Sequence, residues 1–162
     1  MAYEIENKIL PEFPRTMHLP IEPNATSDDK VASLEEMISF LSGDIYIEEK
    51  IDGSNSGIAF WNGQPLIRNR NHILNKSYQV RNTPAKKQFS AIWTWFYENC
   101  NKLEILEKEL GFLPSVYGEW LYARHSVAYD MIPNWWIAFE IYNSEKGVFI
   151  DPGIGREVLK KA

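Results

Sequence analysis

The pair Asn62-Gly63 stands between two runs of strand character, Ser56 to Trp61 and Leu66 to Arg70. Asn-Gly admits left-handed backbone at two successive positions, which is the geometry of a two-residue hairpin turn. The two flanking runs therefore read as neighbouring antiparallel strands. The rest of the chain is read around that hairpin.

DIYIEEKI (44–51) alternates Ile45 and Ile47 with polar residues, a strand pattern. SVYGEWLYA and WWIAFEIYN read as two further strands, with Pro133-Asn134 in their connection, and Gly147 to Asp151 as one more short strand. Helical spacing appears in VASLEEMISFL, with Val31, Leu34, Met37, Ile38 and Leu41 apolar. Thr26-Ser27-Asp28-Asp29 offers cap oxygens before it and Gly43 ends it. Residues 84–99 place Phe89, Ile92, Trp93 and Phe96 at helical spacing, so Trp93, Trp95 and Phe96 read as core. KLEILEKEL, capped by Asn101 and closed by Gly111, and the tail REVLKKA read as two more helices. Four prolines (Pro11, Pro14, Pro20, Pro23) give residues 10–24 an extended character. The expected class is α+β, with antiparallel sheets and flanking helices, in one domain of 162 residues.

The net charge of −5 is unevenly spread. Residues 1–52 carry 12 acidic and 4 basic residues. Residues 53–97 carry no Asp or Glu and six basic residues, Arg68, Arg70, Lys76, Arg81, Lys86 and Lys87. An acid-free basic stretch suits phosphate even in an acidic protein. No run of 18 apolar residues suggests a membrane span, and MAYEIENKIL lacks the pattern of a secretory signal. The single cysteine, Cys100, has no partner for an internal disulfide and reads as a small hydrophobe. A cytoplasmic location is expected. His18, His72 and His125 have no metal-ligand spacing among them.

The chemistry sits at Lys50-Ile51-Asp52-Gly53, where a strand is expected to run into a turn before the hairpin. Alternation puts Glu48, Lys50 and Asp52 on one side of an extended segment. Glycine at 53 would let backbone approach a ligand closely. Asn55 is neutral and can donate to phosphate or ribose oxygens. Arg68 and Arg70, two apart, can share one face and grip phosphate. Glu119 is an acid on an otherwise apolar and aromatic strand.

Four stretches, in order, resemble the ATP-dependent RNA ligase family of covalent nucleotidyltransferases: EEKIDGSN, RNRN, YGEWLYARHS and FEIYN. The early segments PRTMHLP and NATSDDK resemble a bacterial and phage subgroup. The resemblance implies the ATP-grasp-like fold of DNA and RNA ligases. It implies that Lys50 takes AMP from ATP as lysyl-AMP and passes it to a 5′-phosphate nucleic-acid end for strand joining. It implies nucleotide-binding roles for Glu49, Ile51, Asn55, Arg68, Arg70, Glu119 and Phe139, with Arg70 preferred over Arg68. Phe139 would stack on the base, Glu49 contact it, and Glu119 meet the ribose or a metal-bound water. The expected cofactors are ATP and Mg²⁺ or Mn²⁺; no metal ligand is assigned. Acids flanking a lysine favour its charged form and oppose its attack, so a divalent cation that neutralises phosphate and carboxylate is expected. The expected partner is RNA, as ends or nicks with a 5′-phosphate and a 3′-hydroxyl.

Two later family motifs, a Glu-Gly-x-Val strand and a Lys-x-Lys strand, have no counterpart in SEKGVFIDPGIGREVLKKA. The chain therefore reads as the N-terminal part of an adenylyltransferase domain. DNA ligation, GMP transfer as in mRNA capping, and a non-catalytic nucleic-acid-binding module stay open beside RNA ligation.

Overall fold

The computed structural model describes residues 2–21, 29–74 and 88–162. The expected caps Thr26, Ser27 and Asp28, the basic residues Lys76, Arg81, Lys86 and Lys87, and the start of the helix expected from residue 84 lie outside these residues. The chain divides into two compact units, one of Phe13–Lys50 and one of Met1–Glu12 with Ile51–Ala162.

In the smaller unit, His18 and Val31 form a parallel bridge, with the His18 amide donating to the Lys30 carbonyl at 2.7 Å and the Ala32 amide to the His18 carbonyl at 2.9 Å. A helix follows at Leu34–Leu41. Its cap is Ser33 rather than the earlier Thr26–Asp29 cluster. The Ser33 hydroxyl accepts from the Glu36 amide at 3.1 Å and the Glu36 carboxylate accepts from the Ser33 amide at 2.8 Å, a complete capping box. Val31 is thus spent on the bridge and is not part of the helix. Residues 44–50 form no strand. Alternation makes a segment fit for a sheet, but a strand needs a ladder, and these residues have none among the described pairings.

The larger unit begins with helix α1 (Ala2–Ile9), which the sequence reading missed. The Leu34–Leu41 helix of the smaller unit is α2. Six strands then form one antiparallel sheet: β1 (Ser54–Trp61), β2 (Gln64–Asn69), β3 (Ile73–Leu74), β4 (Pro114–Trp120), β5 (Trp136–Asn143) and β6 (Val148–Phe149). Their spatial order is β3-β2-β1-β4-β5-β6. The hairpin turn is as expected, with φ of 50° at Asn62 and 69° at Gly63 and Trp61 opposite Gln64. Helices α3 (Ile92–Asn99), α4 (Asn101–Leu110) and α5 (Pro152–Leu159) complete the unit. Cys100, not Asn101, stands at the start of α4, while Gly111 closes it with φ of 72°. Asp151 caps α5 through the amides of Gly153 and Ile154, so that helix starts four residues before the expected REVLKKA.

Residues opposite each other on paired strands share a face. Ile58, Val116 and Ile141 form one row, and Trp120 pairs with Trp136 in another. That face packs with Trp93, Trp95 and Phe96 of α3 and with Leu103 and Leu106 of α4 as the core. Buried indoles still need acceptors. Trp95 donates to Asn134 Oδ1, Trp120 to the Gln88 carbonyl and Trp136 to Ser56 Oγ, at 2.6, 2.6 and 2.8 Å.

Candidate active site

The opposite face of the sheet carries Asn55, Arg68, Ser115, Tyr117 and Glu119. Arg68, Gly57 and Tyr117 lie in one row across β2, β1 and β4. The glycine leaves a hole between the two long side chains. Leu10, fully buried, fills it: a Cβ at position 57 would stand 3.0 Å from its Cδ1. Three side chains of this face hold the segment after α1 by successive carbonyls. Ser115 Oγ donates to Ile9, Arg68 to Leu10 and Tyr117 Oη to Pro11, each at 2.6 Å. Burial lowers the Arg68 pKa from its usual value and raises that of the Tyr117 hydroxyl.

The next row is the candidate site. Asn55 of β1 stands directly opposite Glu119 of β4, and Glu119 opposite Ile137 of β5. Both polar residues are half-buried. Between Tyr117/Gly118 on β4 and Ala138/Glu140 on β5 the register shifts by one residue, and Phe139 is the extra residue of this bulge. A bulge re-aims a side chain that regular alternation would send elsewhere. Phe139 is half-buried and is not a member of the core cluster. The glycine before Glu119 is fixed by packing: a Cβ at Gly118 would lie 2.5 Å from the Ile137 carbonyl and 2.7 Å from the Trp136 ring.

The Lys50–Gly53 segment, expected as a turn, is irregular with a bend at Gly53 and leads straight into β1. Ile51 and Asp52 are half-buried in the sheet unit, while Glu49 and Lys50 are exposed residues at the end of the smaller unit. The loop after β4 clamps the turn. Asp52 Oδ2 accepts from the Val127 amide at 2.8 Å, and the Asp52 amide donates to Tyr129 Oη at 2.7 Å. Two residues on, Ser54 Oγ lies 3.1 Å from His125 Nε2 and accepts from Gln88 Nε2, itself 2.9 Å from His125 Nε2. Gly53 is not open for a ligand's approach as expected. A Cβ there would meet Leu121 Cδ2 at 2.7 Å and the Trp120 carbonyl at 3.0 Å. Its missing side chain makes room for β4's own end.

The two arginines do not share a groove. Arg68 is 2% exposed and committed to the Leu10 and Asn69 carbonyls. Arg70 follows the end of β2, exposed, in the turn that Asn69 Oδ1 caps by accepting from the Asn71 and His72 amides. The sequence reading brought forward Asn55, Glu119 and Phe139, which the sheet places on neighbouring strands. It did not find Tyr129, Val127 and Gln88. The one signal for this clamp was that His125 lies in the conspicuous ARHS stretch.

Residues 43–162 match a protein-family profile described as RNA ligase. Among solved structures, the chain is similar to one titled Naegleria gruberi RNA ligase with PPi, at 20% identity and a TM-score of 0.45. It is also similar to a lysine-to-alanine mutant of that ligase with ATP and Mn, at 18% identity and a TM-score of 0.42. Each similarity covers 69% of this chain and 30% of the other, so the chain spans less than a third of the length of these ligases. No curated protein sequence matches it.

Proposed function

The chain belongs to the RNA ligase family, and we propose that its lysine turn carries out nucleotidyl transfer, with Lys50 taking AMP from ATP and passing it to a 5′-phosphate end of RNA. The observation that carries the reading is the pairing of Asn55 with Glu119, on the strand that the Lys50–Gly53 turn opens. The matched residues 43–162 include all the expected site residues.

In the first step the neutral Lys50 Nζ attacks the α-phosphorus of ATP. A P–N bond forms, the bond to the β-phosphate's bridging oxygen breaks, pyrophosphate leaves with the electron pair, and the nitrogen gives up one proton to solvent. In the second step an oxygen of the RNA 5′-phosphate attacks the same phosphorus and lysine leaves, regaining its proton. In the third, the 3′-hydroxyl of the neighbouring strand attacks the activated 5′-phosphate and AMP departs. Asn55 donates its amide to phosphate or ribose oxygens, and Glu119 accepts from a ribose hydroxyl. Phe139, turned by the bulge, offers a ring for the adenine, and Glu49 contacts the base. The exposed Arg70 meets phosphate, while Arg68 serves the fold. The clamp on Asp52 holds the chain two residues after the lysine, which is its part in orienting the motif.

Among the described residues, no three His, Cys, Asp or Glu side chains gather as a metal cage. Mg²⁺ or Mn²⁺ arriving on a triphosphate needs only one or two protein carboxylates, and Glu119 fits that part. Such an ion, when bound, neutralises the phosphate charge that repels a nucleophile. The test is transfer. After ATP labelled at the α-phosphate has reacted and been removed, 5′-phosphorylated RNA is added. Movement of label from protein to RNA supports the reading, and retention with RNA but loss to 5′-phosphorylated DNA refutes RNA as the substrate. Labelling from GTP in preference to ATP would point to capping chemistry.

A further inference from the structure

Two aromatic rings beside the lysine turn are exposed without being loose. Tyr122 is 46% and Trp135 49% exposed. The Tyr122 ring lies nearly parallel to that of fully buried Trp120, at 12° with centroids 5.8 Å apart, so its plane is set by the core. Trp135 stands edge-on to Tyr122 at 5.6 Å, and its carbonyl accepts from the Leu121 amide at 2.8 Å. Single exposed aromatics need no explanation, but a touching pair held from below is a built surface.

Its neighbours indicate what it receives. The stretch from Trp120 to Tyr129 contains no acid and carries Arg124 and His125, both exposed. Leu121, between the two aromatic residues Trp120 and Tyr122, is the side chain against Gly53. The same loop grips Asp52 through Val127 and Tyr129. Flat apolar rings whose own exposed, acid-free stretch carries a guanidinium two residues after Tyr122 suit an unpaired nucleobase with its phosphate, because every nucleotide has a base face to stack and a phosphate charge to neutralise. A protein partner would gain little from the cations, and the adenine of ATP is already given a ring by Phe139.

We propose that Tyr122 and Trp135 form a stacking platform for an unpaired base of the RNA strand, with Arg124 on the adjoining phosphate. The assignment rests on the nucleotidyl-transfer reading for its meaning, since that reaction takes an RNA end as its substrate. It is measured by fluorescence anisotropy with a labelled, 5′-phosphorylated single-stranded RNA and with the same strand lacking its bases. Tyr122→Ala and Trp135→Ala should each weaken binding of the intact strand about ten-fold, and Tyr122→Phe should recover what Tyr122→Ala loses. The wild-type protein should bind the abasic strand as weakly as the alanine variants do. Equal binding of intact and abasic RNA by the wild type overturns the platform, even if an alanine variant fails to fold. So does wild-type affinity in both alanine variants, or a change in self-association with RNA affinity intact, which would make the patch a protein contact. Failure of ATP to label Lys50 both in this chain and in a version extended through Glu-Gly-x-Val and Lys-x-Lys segments, while base-dependent binding persists, would sink the transfer reading alone.

Discussion

Gly118→Ala tests how the sheet presents its site. The added methyl would stand 2.5 Å from the Ile137 carbonyl oxygen, 2.7 Å from Trp136 Cε2 and 2.9 Å from Trp136 Nε1. Ordinary contacts of this kind lie near 3.5 Å or beyond, so the β5 backbone and the indole must both retreat. The indole cannot do so freely, because Nε1 donates to the buried Ser56 hydroxyl at 2.8 Å. Overpacking costs about 1–3 kcal/mol and a weakened buried hydrogen bond about 1 kcal/mol. The sum is about 2–4 kcal/mol, which for a domain of this size lowers the unfolding midpoint by roughly 10 °C. Thermal unfolding followed by near-ultraviolet circular dichroism reports it, since Trp136 lies at the strained contact. Trp136→Phe takes away the indole atoms that crowd the methyl, leaving the Ile137 carbonyl clash, so the double variant should lose less than the two single variants together. A Gly118→Ala protein as stable as wild type, or strict additivity with Trp136→Phe, would refute the packing described for the Tyr-Gly-Glu stretch and the bulge beside it.

Three further outcomes are expected. Arg68→Ala leaves the Leu10 carbonyl without its donor and should cost about 1–2 kcal/mol in urea unfolding, relief of a desolvated charge offsetting part of the loss. Arg70→Ala should leave stability unchanged while raising the ATP concentration needed for labelling; the reverse pattern would exchange their roles. Tyr129→Phe removes the acceptor for the Asp52 amide and should slow lysine labelling about ten-fold at saturating ATP with an unchanged KM for ATP, a split that a general loss of folded protein would not produce. The Ser33 amide, donating to the Glu36 carboxylate, and secondly the Ser33 hydroxyl hold the Glu36 pKa below the ordinary glutamate value. Its contribution to α2 is therefore present above about pH 4.3 and lost as pH falls through the lowered folded value. Nuclear magnetic resonance of the Ser33 amide should follow that loss, and Glu36→Gln, which keeps the cap without the charge, should abolish the pH dependence.

The hairpin was legible because its turn is local chemistry: Asn62 and Gly63 must both take positive φ, and few other pairs do so cheaply. The aromatic helix was legible from its spacing. Segment 44–51 was not, because alternation reports fitness for a sheet and says nothing about a partner strand. Helix α1 was missed because its importance is tertiary: Leu10 has no local signal for the hole over Gly57. The site divides in the same way. Asn55, Glu119 and Phe139 stood out by type and order. That Arg68 anchors a carbonyl, and that Gly53 makes room for Leu121, depends on contacts between residues about 60–70 positions apart in the chain, which spacing does not encode.

Covalent capture of AMP by Lys50 tests the central claim most directly. The protein is incubated with Mg²⁺ or Mn²⁺ and ATP labelled at the α-phosphate, both as this chain and as a version extended through Glu-Gly-x-Val and Lys-x-Lys segments. Denaturing electrophoresis and peptide mapping then locate the label. The account predicts a phosphoramidate label on the peptide containing Lys50, in the extended version at least, and none in Lys50→Ala. Absence of label from both versions, or equal labelling of Lys50→Ala, would contradict it.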